Sequence, residues 1–497
     1  MNIKNNIRRA AALLLAAGMV LPFAAGCGTK KAEGDNVIDW YMPKANDNES
    51  GQESVENEAN KIIEEKLGVK LKLHLIDAGS YDKKMNTMIA AGDEFDICFT
   101  SSWTNNYIEN VRKSAFLPLD DLLAEYGQDI LAKSDETMLE GPKVDGQAYA
   151  IVSQSPYSSS SSRVIKKDLA EKYNFDYENA QSLDDLEPFL EAVKNGEPDI
   201  TPLLVSATSG VPTMGSGRYT DDQVKGLRYD EEEEKYVNIF EIEENIENWR
   251  KIKDFYNKGY ISSSAITIQD YTSEAKTGKY AVMKNTGMYT ADGSKSGAVY
   301  GFPCVETYLG QSVVNTGAVY SAMNAISITS KQPEKAMQVL NLIWSDPDLS
   351  NLLAYGIEGI NYIVDEERSA EIGEKAVSPK EGAESTYSVW HNTLGPLWDQ
   401  WDSPWNRREA LKQMEEQNST AKRSKVMGFT FDSTPVKTEI AQITSVLQEV
   451  NPVLTTGSMP DFDAYLEEAK QKLQASGIDK VLEEANRQYE EWKKTNN

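Results

Sequence analysis

The chain has 497 residues, with 51 Lys and Arg against 78 Asp and Glu, a formal charge of −27 at pH 7. A field of that sign repels phosphate backbones and acidic lipid, which argues against nucleic acid as a partner and against direct adhesion to an anionic membrane surface. Three cysteines and two histidines are too few for a disulfide framework, a thiolate cluster or a His-rich metal centre, and no cofactor is expected.

At the N-terminus, Lys4, Arg8 and Arg9 precede the uncharged stretch Ala10 to Gly26. At about 1.5 Å per residue it reaches roughly 26 Å as a helix, short of a bilayer core of about 30 Å, and Gly18 and Pro22 weaken that helix further. Residues 1–26 therefore read as a cleaved signal peptide. The run Ala24-Ala25-Gly26-Cys27 resembles the bacterial lipobox, with Ala24 in place of the usual Leu, which implies a lipid anchor at Cys27. The alternative is a secreted protein cut nearby with an incidental Cys27. Residues 27–35 are small and polar, a flexible tether. Removal of the leader takes the charge to −30.

Val37 to Met42 reads as a strand, and Val55, Ala59, Ile62, Ile63 and Leu67 follow a helical period that stops at Gly68. Val69, Leu71, Leu73 and Leu75 then alternate with Lys70, Lys72 and His74, a strand with one polar face that places His74 at the surface. A second helix over Ser80 to Ala91 leads to the short strand Phe95 to Thr100. Such a β-α-β-α-β order predicts a doubly wound sheet in which the first and third strands are neighbours and their carboxyl ends flank the ligand crevice. Two loops reach that crevice. One carries Lys44, Asn46 and Asp47, and the other, Ser101 to Tyr107, carries Trp103, which either offers a flat apolar face or folds back onto the sheet as core.

Helical segments follow near Leu119 to Leu131, then the apolar stretch Tyr149-Ala150-Ile151-Val152. Ser158 to Ser162 reads either as a linker or as an extended segment crossing between lobes, and no GxSxG motif supports a serine nucleophile. The acidic run Glu231 to Glu234 lacks the ligand alternation of a calcium loop and reads as a solvated turn, ahead of a helix over Asn248 to Tyr256. Cys98 and Cys304 read either as two separate buried thiols or as a single bridge in an exported protein. Near the C-terminus, Asp461 to Leu473 and Ile478 to Trp492 each carry one apolar face, a helical hairpin divided at Gly477.

The lipobox, the opening β-α-β-α-β, Gly278-Lys279-Tyr280-Ala281-Val282-Met283, Asn324-Ala325-Ile326 leading into Pro333-Glu334-Lys335-Ala336, and Gly356-Ile357-Glu358-Gly359 together resemble the extracellular solute-binding proteins of bacterial ABC importers, in the maltose-binding-protein class. Met427 to Asp432 resembles the C-terminal region of a carbohydrate-associated lipoprotein subgroup. The resemblance implies an α/β, two-lobed periplasmic-binding-protein-like fold, each lobe a mostly parallel sheet flanked by helices, with the ligand cleft between them. It places lobe 1 at 36–153 and 322–375, lobe 2 at 154–321 and 376–450, and a packed hairpin at 451–497. It also puts Tyr289 on the cleft, where the family often has Trp, and brings in Glu358 and Tyr362.

Trp390, Trp398, Trp401 and Trp405, four of nine tryptophans, are interleaved with His391, Asn392, Asp399, Gln400 and Asp402. Sugars present apolar C–H faces and a belt of hydroxyls, so flat aromatics beside amides and carboxylates suit them. A core stripe is the competing use of Trp398, Trp401 and Trp405. The ligand-binding candidates are Asn46, Asp47, Trp103, Tyr289, Glu358, Tyr362, Trp390, Trp398 and Trp401. The expected protein is a monomer, lipid-anchored to the outer face of the bacterial cell membrane, that captures an oligosaccharide for a membrane-embedded ABC permease without catalysis. Competing classes are an exported glycan hydrolase, which needs two carboxylates about 5–9.5 Å apart, and a peptide-binding or sensory lipoprotein on the same fold.

Overall fold

Period-2 and period-3.6 apolar patterns build the entry to the fold. Strand β1 (Val37–Lys44) is followed by the helix Gln52–Leu67, which buries Val55, Ala59 and Ile63 and ends in a left-handed Gly68 whose N–H reaches Glu64 O. Then come β2 (Lys70–Asp77), the helix Ala78–Ala91 and β3 (Ile97–Thr100). β1 and β3 are parallel neighbours, with Trp40 opposite Ile97 and Tyr41 opposite Cys98, so their carboxyl ends share one sheet edge. The computed structural model describes residues 36–44, 50–214, 216–220, 223–285, 289–290, 292–382, 387, 389–404 and 406–496. The signal segment, Cys27, Asn46, Asp47 and Trp405 lie outside the described residues.

A small hairpin, β4 (Lys143–Val144) and β5 (Gln147–Ala148), precedes β6 (Ile151–Val152). The chain then enters a second sheet through β7 (Ser159–Lys166), followed by β8 (Thr201–Leu203), the hairpin β9 (Leu227–Asp230) and β10 (Lys235–Asn238), β11 (Tyr280–Lys284) and β12 (Cys304–Val314). It returns to the first sheet at β13 (Met323–Ile326), forms the hairpin β14 (Tyr362–Val364) and β15 (Val377–Pro379), and regains the second sheet at β16 (Lys422–Arg423). The five-stranded orders are β2-β1-β3-β13-β6 and β16-β12-β7-β11-β8. Parallel pairs (β1 with β3, β11 with β8, β12 with β16) are joined by antiparallel ones, because β7 and β13 run back from the crossings. The serine run is thus the start of a central strand, with Ser161 opposite Leu309 and Ser162 opposite Tyr308.

Each sheet has its own core. Trp40, Phe99, Met323 and Trp344 belong to the first; Val164 and Ile165, adjacent on β7, point into separate clusters on the two faces of the second sheet. A further cluster joins the β9–β10 hairpin to the helices Lys437–Thr456, Phe462–Ala475 and Ile478–Asn496, where the buried Tyr229 and Tyr489 hydroxyls meet at 2.7 Å.

Two features depart from expectation. Val377, Tyr387, Val389 and Leu394 sit in the first core, although the family resemblance places 376–450 in the second lobe. The cause is a buried amide: Trp40 Nε1 donates to Asn324 Oδ1 at 3.1 Å, and Asn324 Nδ2 donates to Thr393 O at 2.8 Å. Val389 also bridges Lys44 at the end of β1, and Gly395 allows the close approach of the Trp344 indole, since a Cβ there would stand 2.3 Å from Nε1. The other departure is Glu231, which is buried rather than solvated. It accepts from Thr220 Oγ1, Ser424 Oγ and the Lys425 N–H, while Glu232 and Glu233 remain exposed.

His74 is partly exposed, stacked on Tyr41 at 4.1 Å with Nε2 2.8 Å from Asp39. Cys98 and Cys304 are buried, free thiols on different sheets.

Asn324→Ala orphans a buried indole N–H and a buried carbonyl. A loss of about 2–4 kcal/mol is expected, measured by urea denaturation of the mature protein, with an unchanged midpoint ruling out the clamp.

Candidate functional site

The loop that follows β3 is built by its own hydroxyls and amides. Ser101 Oγ accepts the N–H groups of Trp103 and Thr104, and Thr100 Oγ1 donates to Asn105 O. Asn105 is buried in a left-handed conformation (φ 44°), its amide donating to Phe99 O and accepting from Asn110; Asn tolerates that conformation because its short side chain bonds locally. Trp103 consequently stands out from the sheet edge, 54% exposed, with its Nε1 pinned to Ser321 O at 2.9 Å. Its ring lies 5.8 Å from Phe99 and 5.7 Å from Trp390. Trp390 is there because its neighbour Val389 bridges Lys44. The carboxyl ends of β1 and β3 therefore hold a paired-indole surface.

Next to it, His391 packs edge-on to Tyr355 at 4.8 Å and takes a hydrogen bond at Nδ1 from the Asn406 amide. Burial, helped by the nearby Lys295 ammonium, pushes its pKa down to about 4. Lys295 belongs to the helix Ser294–Tyr300, just ahead of β12, so the second lobe approaches the first at this point.

On the second lobe, Tyr289 meets Tyr308 of β12 at 5.1 Å, ring edge to face. The Tyr289 hydroxyl is hydrogen-bonded to Gln413 on the helix Arg408–Thr420. These three residues, with Gln417, line a cavity of about 380 Å³. The position of Tyr289 is set by its neighbour: the Thr290 N–H donates to the buried carboxyl of Glu306 at 3.2 Å, which also accepts from Ser162 Oγ at 2.9 Å. Burial raises the Glu306 pKa to about 7, against those hydrogen bonds.

Of the remaining candidates, Trp401, Tyr362 and Glu358 gather elsewhere. Trp401 stacks on Tyr355 with planes 10° apart, the Lys375 ammonium lies 3.8 Å from its centroid, and Lys375 also contacts the Tyr362 ring and the Glu358 carboxylate. Trp398 is half-buried and is held through its backbone, the N–H on Gln154 Oε1 and the carbonyl on Arg408. The whole tryptophan-rich segment is anchored by the fully buried Asp402. Burial opposes its ionisation, but Arg368, the Arg408 N–H and Arg407 hold its carboxyl below the usual range. Tyr308, Gln413, His391, Lys295 and Glu306 were not among the sequence candidates. The alternation of β12 could have marked Tyr308, and the tryptophan-rich stretch itself marked His391, whereas Gln413, Lys295 and Glu306 carry no local signal. Among the described residues no group of three or more His, Cys, Asp or Glu could hold a metal ion, and no helix is long and apolar enough to cross a membrane.

Comparison with known proteins adds the following. Residues 46–348 match the family described as bacterial extracellular solute-binding protein, and residues 425–494 match a domain of unknown function, DUF3502. A carbohydrate ABC transporter substrate-binding protein of Streptococcus pneumoniae is 29% identical over 499 residues, covering 98% of this chain and 97% of its own. The crystal structure of the N-glycan transport solute-binding protein NgtS from Streptococcus pneumoniae, 26% identical, covers 93% of this chain and 100% of that one with a TM-score of 0.79. Its complex with Man5GlcNAc, also 26% identical, covers 93% and 99% with a TM-score of 0.65.

The two buried titrating groups act in opposite senses. His391, depressed to about 4 from 6.5, binds its proton more readily in the unfolded chain, so its contribution is lost as pH falls from 6.5 towards 4. Glu306, raised to about 7 from 4.5, holds its proton more tightly in the folded chain, so its contribution is full below 4.5 and lost as pH rises towards 7. Melting temperatures between these limits should therefore rise more steeply with pH in Glu306→Gln than in wild type, and less steeply in His391→Gln. Parallel profiles for all three proteins would refute both assignments.

Proposed function

The chain belongs to the bacterial extracellular solute-binding proteins, and on that premise we propose that it captures an oligosaccharide between its two lobes and hands it to the membrane-embedded permease of an ABC importer, without chemistry on the ligand. The observation that carries the proposal is the exposed indole of Trp103, braced by Trp390 and Phe99 at the carboxyl ends of β1 and β3. An apolar surface of two tryptophans left open to water marks a site that a flat apolar face covers in use, and a sugar ring has such a face. Asn46 and Asp47, next to Lys44, would serve as hydrogen-bond partners for sugar hydroxyls, and Tyr289, Tyr308 and Gln413 would close from the opposite lobe. Trp398, Trp401, Tyr362 and Glu358 would position the Trp390 segment rather than touch sugar.

Support for movement of the lobes comes from the comparison. At equal identity the TM-score falls from 0.79 to 0.65 when the related protein holds Man5GlcNAc, a difference of conformation. A closed form selected by ligand is what a permease could recognise. A lipid on Cys27 and a flexible tether over 27–35 would hold this monomer on the outer face of the cell membrane and raise its effective concentration at the permease.

Calorimetry with Man5GlcNAc should show saturable binding, with the glycan recovered uncleaved; cleaved products would convert the protein into a hydrolase. Trp103→Ala should weaken that binding about tenfold or more, equivalent to about 1.4 kcal/mol, while leaving the melting temperature of the free protein nearly unchanged. Cys27→Ala should release the protein from cells into the medium with glycan affinity intact. Retention of the variant on the membrane would contradict the anchor.

A further inference from the structure

A cavity of about 830 Å³ opens on the second lobe, inside the roughly 300–1,000 Å³ of small-molecule sites. Its lining residues all fall within 161–249 and 444–455, so neither Trp103 and Trp390 nor Tyr289 belongs to it. Two helices form part of its walls. The helix Glu243–Asn257 presents Asn248 and Trp249, and the helix Lys437–Thr456 presents Gln448 and Asn451. The second helix lies inside 425–494, the region that matches a domain with no assigned function.

The chemistry of the lining is selective. Trp249 is braced on one side by Phe240 at 5.1 Å, which leaves indole surface for the cavity. The side-chain amides of Asn248, Gln448 and Asn451 make no hydrogen bond to protein among the described residues, and each offers both a donor and an acceptor. Charge of both signs is present in Lys225, Arg228 and Glu244, but part of it is already engaged: Arg228 donates to Leu227 O and Glu244 accepts the Ser216 N–H. An anion would call for a convergent cationic fork. A braced indole beside open amides instead suits a neutral ligand with one apolar face and many hydroxyls.

We propose that the C-terminal helices and the helix Glu243–Asn257 form a second saccharide-binding site, separate in residues from the interlobe site. The choice of ligand class rests on the function proposed above; the location does not. Fluorine NMR of fluorotryptophan-labelled protein reads the two sites independently, with the Trp249 and Trp103 resonances assigned by Trp249→Phe and Trp103→Phe. On titration with Man5GlcNAc, maltopentaose and chitopentaose, the Trp249 resonance should move saturably with at least one of them and should still move in Trp103→Ala. Gln448 and Asn451 are exposed, so the double variant Gln448→Ala, Asn451→Ala keeps its core, and it should raise the half-saturation concentration at Trp249 by about tenfold without altering the Trp103 response. A Trp249 resonance that stays still at millimolar concentrations of all three, or that moves only while Trp103 is intact, overturns the second site. A moving Trp249 beside a still Trp103 would instead sink the interlobe reading and keep this one.

Discussion

The Asn324 amide, buried between the Trp40 indole and the Thr393 carbonyl, is the constraint on which the binding surface depends. An amide taken out of water must find partners, and these two come from a stretch at the start of the fold and a stretch some 350 positions later. Satisfying it draws residues 389–397 onto the edge of the first sheet and so delivers Trp390 to Trp103. The same logic repeats at the other end of the segment, where Asp402 is tolerated in a fully buried position because two guanidiniums and a backbone N–H surround it. A segment rich in tryptophan is thereby held by polar groups at both ends, which leaves its indoles free to divide between packing and display.

Polar burial also shapes the junction of the lobes. Lack of water shifts both His391 and Glu306 from their ordinary charge, keeping the first a neutral base and raising the pKa of the second to about 7. Each sits one position from, or is hydrogen-bonded next to, an aromatic of the proposed cleft: His391 beside Trp390, and Glu306 on the N–H of Thr290 beside Tyr289. Low dielectric around those aromatics strengthens whatever hydrogen bonds a ligand makes there.

The opening β-α-β-α-β was legible because its patterns are local: alternation in β2, a helical stripe in Val55, Ala59 and Ile63, and a Gly stop at 68. The place of Trp103 was legible one step further, through the rule that puts ligand loops at the carboxyl ends of neighbouring parallel strands. Its orientation was not, because a buried and a displayed tryptophan look the same in sequence. Trp401 shows the other outcome, taken up by Tyr355 and Lys375, and Lys375 lies 26 positions away. Glu231 was misread for a related reason. A run of four acids looks solvated, and the groups that bury the first, Ser424 and Lys425, are separated from it by nearly 200 residues of chain.

What the sequence determined by itself was the local periodicity of strands and helices and membership of a family through motifs in a fixed order. Those properties depend on neighbours in the chain. The tertiary structure alone decided which tryptophans are paired at the sheet edge, which core takes Val377, Tyr387, Val389 and Leu394, that Tyr289 packs against Tyr308 and bonds Gln413, and that the C-terminal helices border a cavity with Trp249. Each of these depends on which distant group satisfies a buried polar atom or covers an aromatic face, and a pattern read along the chain does not contain that choice.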